Sequence, residues 1–416
     1  MTTHAKDSRP LKQEDKRVVI PPDSRQGFRQ ASAPSHYEIT LLLSAVLISY
    51  SVLYGPQVMV SHWVTESLLS SQRASLLVYI TLFPMSLTPL CYGYLFGRQE
   101  TSRLIFWALL ALNGTTLTLT QTHNFHLMSA MRLIQGLILP VIMTAVMSRL
   151  SAQGGQRGRR LITYYLCATV LGGLIGRLVS GQLTDIFGTR APWWLWSVSL
   201  MSIAVLLMRL KKSSVPYNAQ VCTPTRLRAA LRSPSVLPSL ACSALMFGVF
   251  AAALNLLPLR ALELNPLQGS SAIAHRYWGY LAGFFVALAA RSINKALGGK
   301  GRAPALGLMT LMVGLYWGSL EHTSIPLFGM VFLLCVGLFI THPILTAHIT
   351  QISPEDRGLM SGLYVSSYYI GGSLGSAVLS RFYHHFGWSM SLWLLGVMSL
   401  LGALLALIAL RNDPGS

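Results

Sequence analysis

Two arginines stand where charge is expensive. Arg132 lies inside the apolar run 126–149 and Arg177 inside the run 161–184. A charged side chain at the centre of a membrane-spanning helix costs about 2.5–3.5 kcal/mol on insertion scales, so it is retained where it faces a bundle interior or a water-filled cavity. Arg132 lies about six residues from the start of its run and Arg177 about seven from the finish of its own, the outer end in both cases, roughly 10 Å in at 1.5 Å per residue, which puts the two at similar depth. No Asp or Glu falls well inside any apolar run; the nearest, Glu38, Asp185 and Glu263, lie near ends. Buried cations without internal counter-ions need partners. For Arg177 the choices are Asp185, two turns along, or the cargo itself, an organic anion such as a hydroxycarboxylate siderophore. For Arg132 they are the cargo on one side, and a clamp onto neighbouring helix carbonyls on the other.

His342 is the titratable candidate for proton coupling, since histidine changes charge near neutral pH. Pro343 follows it and should kink that helix; the plainer role for His342 is a hydrogen-bonded core residue. Gln57, Tyr54, Asn255, Tyr277, Tyr364 and Tyr368 can complete a binding cavity, the tyrosines offering a ring to stack on and a hydroxyl to donate. Tyrosine also serves interfacial belts and tight helix contacts. The chain has no H-E-x-x-H, no G-x-S-x-G, no Walker loop and no inward carboxylate pair, so catalytic residues, a bound metal and a cofactor are not expected, and a membrane-embedded enzyme is a remote reading. The five cysteines show no paired spacing.

The elements that must position these residues follow from composition. Apolar residues make up 52% of the 416-residue chain and charged residues only 11%, with a mean hydropathy of +0.51; a soluble surface needs about 25% charged residues. Runs of about 20 apolar residues span a bilayer, and they must be helical to satisfy their own backbone. Twelve such runs can be drawn, at 38–61, 73–97, 103–121, 126–149, 161–184, 192–210, 236–258, 276–294, 304–320, 325–349, 358–382 and 388–410. The net charge of +19 does not point to nucleic acid, because the basic residues cluster between the runs. All but Arg73, Arg132, Arg177, Arg190, Arg260, Arg276 and Arg381 fall on the side of the N-terminus. The positive-inside rule then puts both termini in the cytoplasm.

The chain reads as a disordered N-terminal tail (1–37), a six-helix bundle (38–210), a basic, proline-bearing cytoplasmic linker (211–235), a second six-helix bundle (236–411) and a short C-terminal tail (412–416). The halves repeat. A shift of 199 residues lays Gly172, Gly173 and Gly176 on Gly371, Gly372 and Gly375, Tyr165 on Tyr364, Phe187-Gly188 on Phe386-Gly387, and Trp194 on Trp393. Such parallel halves are related by an axis along the membrane normal, and transporters rock them about a site near the midplane.

Arg132-x-x-Gln135-Gly136 resembles motif B of the major facilitator superfamily, R-x-x-Q-G. Gly172-x-x-x-Gly176-Arg177-x-x-Ser180-Gly181 resembles its antiporter motif C, G-x-x-x-G-P-x-x-G-G, with Arg177 in place of proline and Ser180 in place of a glycine. After the second run, Gly93-x-Leu95-x-Gly97-Arg98 resembles a degraded motif A, with Gly97 where the family has the aspartate of a charge latch; Gly181-x-Leu183-x-Asp185-x-x-Gly188-x-Arg190 echoes that motif on the opposite side. The resemblance is to the twelve-helix bacterial drug:proton antiporters. It implies an all-α membrane protein of two pseudo-symmetric six-helix bundles in a bacterial inner membrane, a monomer moving a small-molecule substrate in exchange for protons, with efflux as the direction. It gives Arg132 and Gln135 a coupling or binding role, the glycines 136, 172, 173, 176, 181, 371, 372 and 375 helix packing and gating, and Gly93 and Arg98 the cytoplasmic loop. Uptake of a sugar or organic acid by the same fold is the alternative, and a non-transporting receptor or scaffold a more distant one.

Overall fold

The computed structural model describes residues 34–66, 68–96, 100–153, 155–209, 223–320, 324–353 and 356–411. Arg98, most of the N-terminal tail, residues 211–222 of the linker and the C-terminal tail lie outside the described residues; Gly93 lies in a helix, but its surroundings are not described.

Helices α1 (His36–Tyr54) and α2 (Pro56–Thr65) make the first pass, and α3 (Ser71–Tyr79) and α4 (Leu82–Phe96) the second. Then come α5 (Thr101–Gln121), α6 (Phe125–Ser151), α7 (Gly155–Phe187) and α8 (Arg190–Met208). A short α9 (Pro224–Leu231) leads to α10 (Val236–Leu264). After α11 (Ser270–Ala274) and a 3₁₀ turn (His275–Gly279) come α12 (Tyr280–Ala296), α13 (Arg302–Ser319), α14 (Ser324–Ile352) and α15 (Arg357–Ala409). Among the described residues nine helical segments are long and apolar enough to cross a membrane. One of these, α15, has 53 residues, about 80 Å at 1.5 Å per residue against a hydrocarbon core of about 30 Å. It is interrupted at Gly387, whose φ of 75° and ψ of −173° are not helical. With α15 divided there, and with the shorter α12 and α13 packed against α14, the described residues are compatible with the twelve runs read from the sequence.

Helix starts follow their capping residues. Ser35 and Ser70 accept from the backbone N–H groups of Glu38 and Arg73, and the Asn124 carbonyl accepts from His126 and Leu127, as an N-cap should. Within the chain, α1 packs on α7 and α10 packs on α15, while α4 meets α15, and α7 meets α11 and α12. Call the end where α1 begins the near end, and the other the far end. At the near end Arg149 pairs with Glu38 at 2.8 Å. At the far end the Trp388 indole donates to the Gly318 carbonyl at 2.8 Å, and the Tyr383 hydroxyl donates to Glu263.

The repeated glycines do the same job twice. A Cβ on Gly172 would collide with the Leu47 carbonyl, and one on Gly176 would come within 2.5 Å of the Ser51 Cα. In the second half a Cβ on Gly371 would collide with Ala244 backbone, and one on Gly375 would lie 2.8 Å from the Gly248 carbonyl. Small residues one turn apart let the two backbones touch. Gly173 and Gly372 instead face side chains, Arg177 and Tyr54 for the first and Phe247 for the second. Gly188 and Gly387, also equivalent, both take positive φ, +80° and +75°, which glycine adopts without steric cost.

Gly371→Ala is expected to destabilise by about 1–3 kcal/mol through overpacking. Gly114→Ala, where a Cβ meets nothing within 4 Å, should be neutral or slightly stabilising. Apparent melting temperatures in detergent compare the two; equal shifts would contradict the close-contact role.

Candidate functional site

The first pass loses a backbone hydrogen bond at Gly55-Pro56, although Gly55 itself keeps helical dihedrals (φ −53°, ψ −42°). Proline has no N–H, so the carbonyl four residues earlier, that of Val52, loses its helical donor. Nearby, α3 stops at Tyr79 and α4 restarts at Leu82, which frees carbonyls in the last turn of α3. Arg132 bridges both interruptions. Its Nη1 donates to the Val52 carbonyl at 3.1 Å, its Nη2 to the Leu53 carbonyl at 3.0 Å, and its Nε to the Leu77 carbonyl at 3.0 Å. Nη1 also donates to Gln135 Oε1 at 2.8 Å, and Gln135 in turn donates to Thr116 on α5 at 3.2 Å. Gly136 completes the set, for a Cβ there would collide with the Thr81 carbonyl at the α3–α4 break. Arg132 is 1% exposed and Gln135 fully buried; neither lines the central cavity. Of the two roles the sequence leaves open for Arg132, this geometry is that of the clamp.

Arg177 sits one turn away and is placed differently. It lines a small central cavity with Leu53, Tyr54, Gln57, Phe247, Asn255 and Tyr280, among others. Its Nε donates to Gln57 Oε1 at 2.7 Å and its Nη1 to the Gly173 carbonyl at 2.7 Å. Its guanidinium carbon lies 4.5 Å from the ring centre of Tyr54, 4.7 Å from that of Tyr277 and 4.6 Å from that of Tyr280. Tyr277 itself is buried and donates to the Leu254 carbonyl at 3.0 Å. From Gln57 a hydrogen-bonded chain crosses the molecule: Gln57 Nε2 donates to Asn255 Oδ1 at 2.5 Å, and Asn255 Nδ2 donates to Ser376 Oγ at 2.8 Å. Ser376 is the repeat equivalent of Arg177, so the chain joins matched positions of the two halves. Among the described residues no carboxylate pairs with Arg177. The pair with Asp185 does not form; that carboxylate is bound to the start of α11 instead.

The second half contributes an aromatic wall. Phe247 and Tyr368 stack with ring centres 3.7 Å apart and 13° between planes. His342 lies 5.0 Å from the Tyr368 ring, and its Nδ1 is 2.6 Å from the Tyr364 hydroxyl. The sequence-selected residues thus fall into three groups: the Arg132–Gln135–Gly136 clamp, the cluster of Arg177, Gln57, Tyr54, Tyr277 and Asn255, and the His342–Tyr364–Tyr368 wall. Sequence reasoning missed Phe247, Tyr280 and Ser376. The 199-residue shift could have found Ser376 through Arg177.

The two arginines should respond unequally to loss of the forked head group. Arg132→Lys is expected to cost about 3 kcal/mol or more, because a single ammonium leaves buried carbonyls without donors. Arg177→Lys should be milder, its charge still facing the aromatic box. Thermal unfolding in detergent decides between them, and an Arg132→Lys protein as stable as the parent would contradict the clamp.

The Major Facilitator Superfamily profile matches residues 42–340 and 277–416. The chain is 25% identical over 391 residues to the inner membrane transport protein YnfM of Escherichia coli K12, covering 92% of each. It is 22% identical over 361 residues to an uncharacterized transporter of Buchnera aphidicola subsp. Baizongia pistaciae, covering 84% of this chain and 88% of that one. Among solved structures, a bacterial homolog of the human lysosomal transporter Spinster, inward-facing and unoccupied, superposes with a TM-score of 0.74 at 14% identity, over 91% of this chain and 98% of that one. The peptide transporter POT in complex with sulfate gives 0.70 at 17% identity, over 88% and 93%. Profile, relatives and fold agree: the chain belongs to the major facilitator superfamily and is a multi-pass membrane transporter, not an enzyme.

Proposed function

We propose that this transporter exports an organic anion across a bacterial inner membrane in exchange for protons, as a monomer, with residues 38–210 and 236–411 rocking as two units about the central cavity and both termini in the cytoplasm. The observation that carries the reading is Arg177: a buried cation on the cavity wall, held by an amide and three tyrosine rings, and paired with no carboxylate among the described residues. Ring faces ease the burial of a cation but leave its charge in place. A cargo carboxylate or phosphonate entering the cavity supplies the missing charge, and it can take over the bond that Arg177 Nε now gives to Gln57. Phe247, Tyr54 and Tyr280 give the carbon skeleton of the cargo apolar surface to lie on.

The direction rests on the resemblance of Gly172–Gly181 to the antiporter motif. The coupling site is His342. It is half-buried beside Tyr364 and Tyr368, the latter stacked on the cavity-lining Phe247, and no ion pair to it is formed among the described residues, so a proton arriving there adds a charge one ring behind the cavity wall.

A thermal-shift series with citrate-like hydroxycarboxylates, sugars and cationic drugs tests the cargo class, because a ligand that binds only the folded state raises its stability. Organic acids should stabilise the parent protein, and Arg177→Ala should weaken them about 10–100-fold. Stabilisation by sugars or cations alone, or equal binding by Arg177→Ala, would overturn the anion reading. Cells lacking the protein should accumulate more of the anion; lower accumulation would mean uptake.

His342→Gln should keep cargo binding and lose the pH dependence of flux in proteoliposomes. Full pH-dependent flux would remove His342 from coupling.

A further inference from the structure

The segment Gly181-x-Leu183-x-Asp185-x-x-Gly188-x-Arg190 has no part in the cavity, yet each of its polar and glycine positions is in use at the far end. Gly181 brings α7 against α11, where a Cβ would lie 2.8 Å from the Ser270 carbonyl and 2.9 Å from the Ala274 Cβ. One turn on, the Asp185 carboxylate takes three hydrogen bonds from across the molecule: Oδ1 accepts from the Ser270 N–H at 2.7 Å, and Oδ2 from the Ser271 N–H at 2.9 Å and the Ser271 hydroxyl at 2.5 Å. Gly188, at positive φ, ends α7 just beyond, so Asp185 stands in the last turn, aimed at the α10–α11 loop. Arg190 opens α8 and reaches His123, in the loop between α5 and α6, at 2.5 Å. Ser61 on α2 adds a hydroxyl contact to Ser270 at 2.9 Å. Gly269 leaves room for the carboxylate, since a Cβ there would collide with it.

We infer that Asp185 is the latch of the far gate, a positioning residue that holds α7 of the first half to the start of α11 in the second whenever the cavity is closed to that side. The contact joins the two halves directly, and it is the place where three charge-assisted bonds, stronger than neutral ones, depend on a single side chain. Asp185 is exposed at the rim, so water can take over its bonds as the halves part. Among the described residues the contact of α4 with α15 towards the near end is of another kind, for a Cβ on Gly362 would meet Leu90 and Pro89 at ordinary van der Waals distance. The far gate is thereby held by polar bonds to one carboxylate, and weakening them shifts the resting population towards the state open at the far end. The inference rests on the alternating-access part of the reading above and is independent of the cargo.

The test uses the full chain in membrane vesicles, with no cargo present. A cysteine placed at Ala251, on the cavity wall, is exposed to a membrane-impermeant maleimide from either face, and its modification is read by mass spectrometry of the peptide carrying it. Leu267→Cys, at a fully exposed tip of the α10–α11 loop, identifies the far face. Asp185→Asn should raise far-face labelling of position 251 about tenfold or more. Gly269→Ala, which displaces the carboxylate from the opposite half, should act in the same direction and serves if Asp185→Asn does not fold. Unchanged far-face labelling in a folded variant of either kind, with near-face labelling intact, would overturn the latch. Labelling from neither face would remove the cavity reading, and the latch with it.

Discussion

The guanidinium of Arg132 holds together two places where the backbone stops bonding to itself. In lipid a carbonyl without a donor costs several kcal/mol, and this bundle interrupts its first two passes at the same level, at Gly55-Pro56 and between Tyr79 and Leu82. One side chain with a planar, forked head serves the freed oxygens of both, and Gln135 fixes that head from the same helix. Leu53 and Tyr54 just before the first break, and Val78 and Leu82 about the second, line the central cavity. A charge that looks costly inside a membrane is here the donor that satisfies backbone left open beside that cavity.

Arg177 is the counterpart that the backbone does not absorb. It meets α2 at Gln57, four residues on from the Leu53 carbonyl that Arg132 holds, and the missing side chain of Gly55 lets α7 come close. Ser51 donates to the Gly172 carbonyl at 3.0 Å, and a Cβ on Gly55 would lie 2.5 Å from Ser180 Oγ. The sequence departs from the antiporter motif at both these points on α7, with an arginine for proline and a serine for glycine. Ser180 is explained by structure, since it accepts from the Trp196 indole at 3.1 Å. Arg177 is not needed for packing in that sense. One of its two protein hydrogen bonds goes to a neighbour's amide and the other to its own helix. That contrast between two buried arginines at one depth separates a framework charge from a cavity charge.

Much of this was legible in the sequence. Apolar runs of spanning length, the glycines repeated at 199 residues and the two arginines all appear without coordinates, because lipid imposes length, helicity and small interfaces on any chain. The partners were less legible. That Pro56 frees the Val52 carbonyl can be read from the spacing of four, yet which cation would reach it depends on how helices tilt. Tyr280 was missed because the 3₁₀ turn His275–Gly279, with three residues per turn, shifts the phase of the helix after it. Asp185 looked like a partner for Arg177 two turns away on one helix. Its true acceptor role lies 85 and 86 residues along the chain, a distance that local periodicity cannot cover. The break of α15 at Gly387 was legible, by contrast, as the gap between the apolar runs 358–382 and 388–410.

Gly188 and Gly387 turn the last hairpin of each half with almost no connecting loop. Each gate helix, α7 in one half and the first part of α15 in the other, is therefore welded by a tight elbow to the helix behind it. Immediately past the elbows, Trp194 and Trp393 are roughly half exposed, and indoles near the ends of spanning helices favour the lipid head-group level. With no loop to absorb it, a tilt of either helix would carry its indole with it, and a change in bilayer thickness would be felt at the elbow.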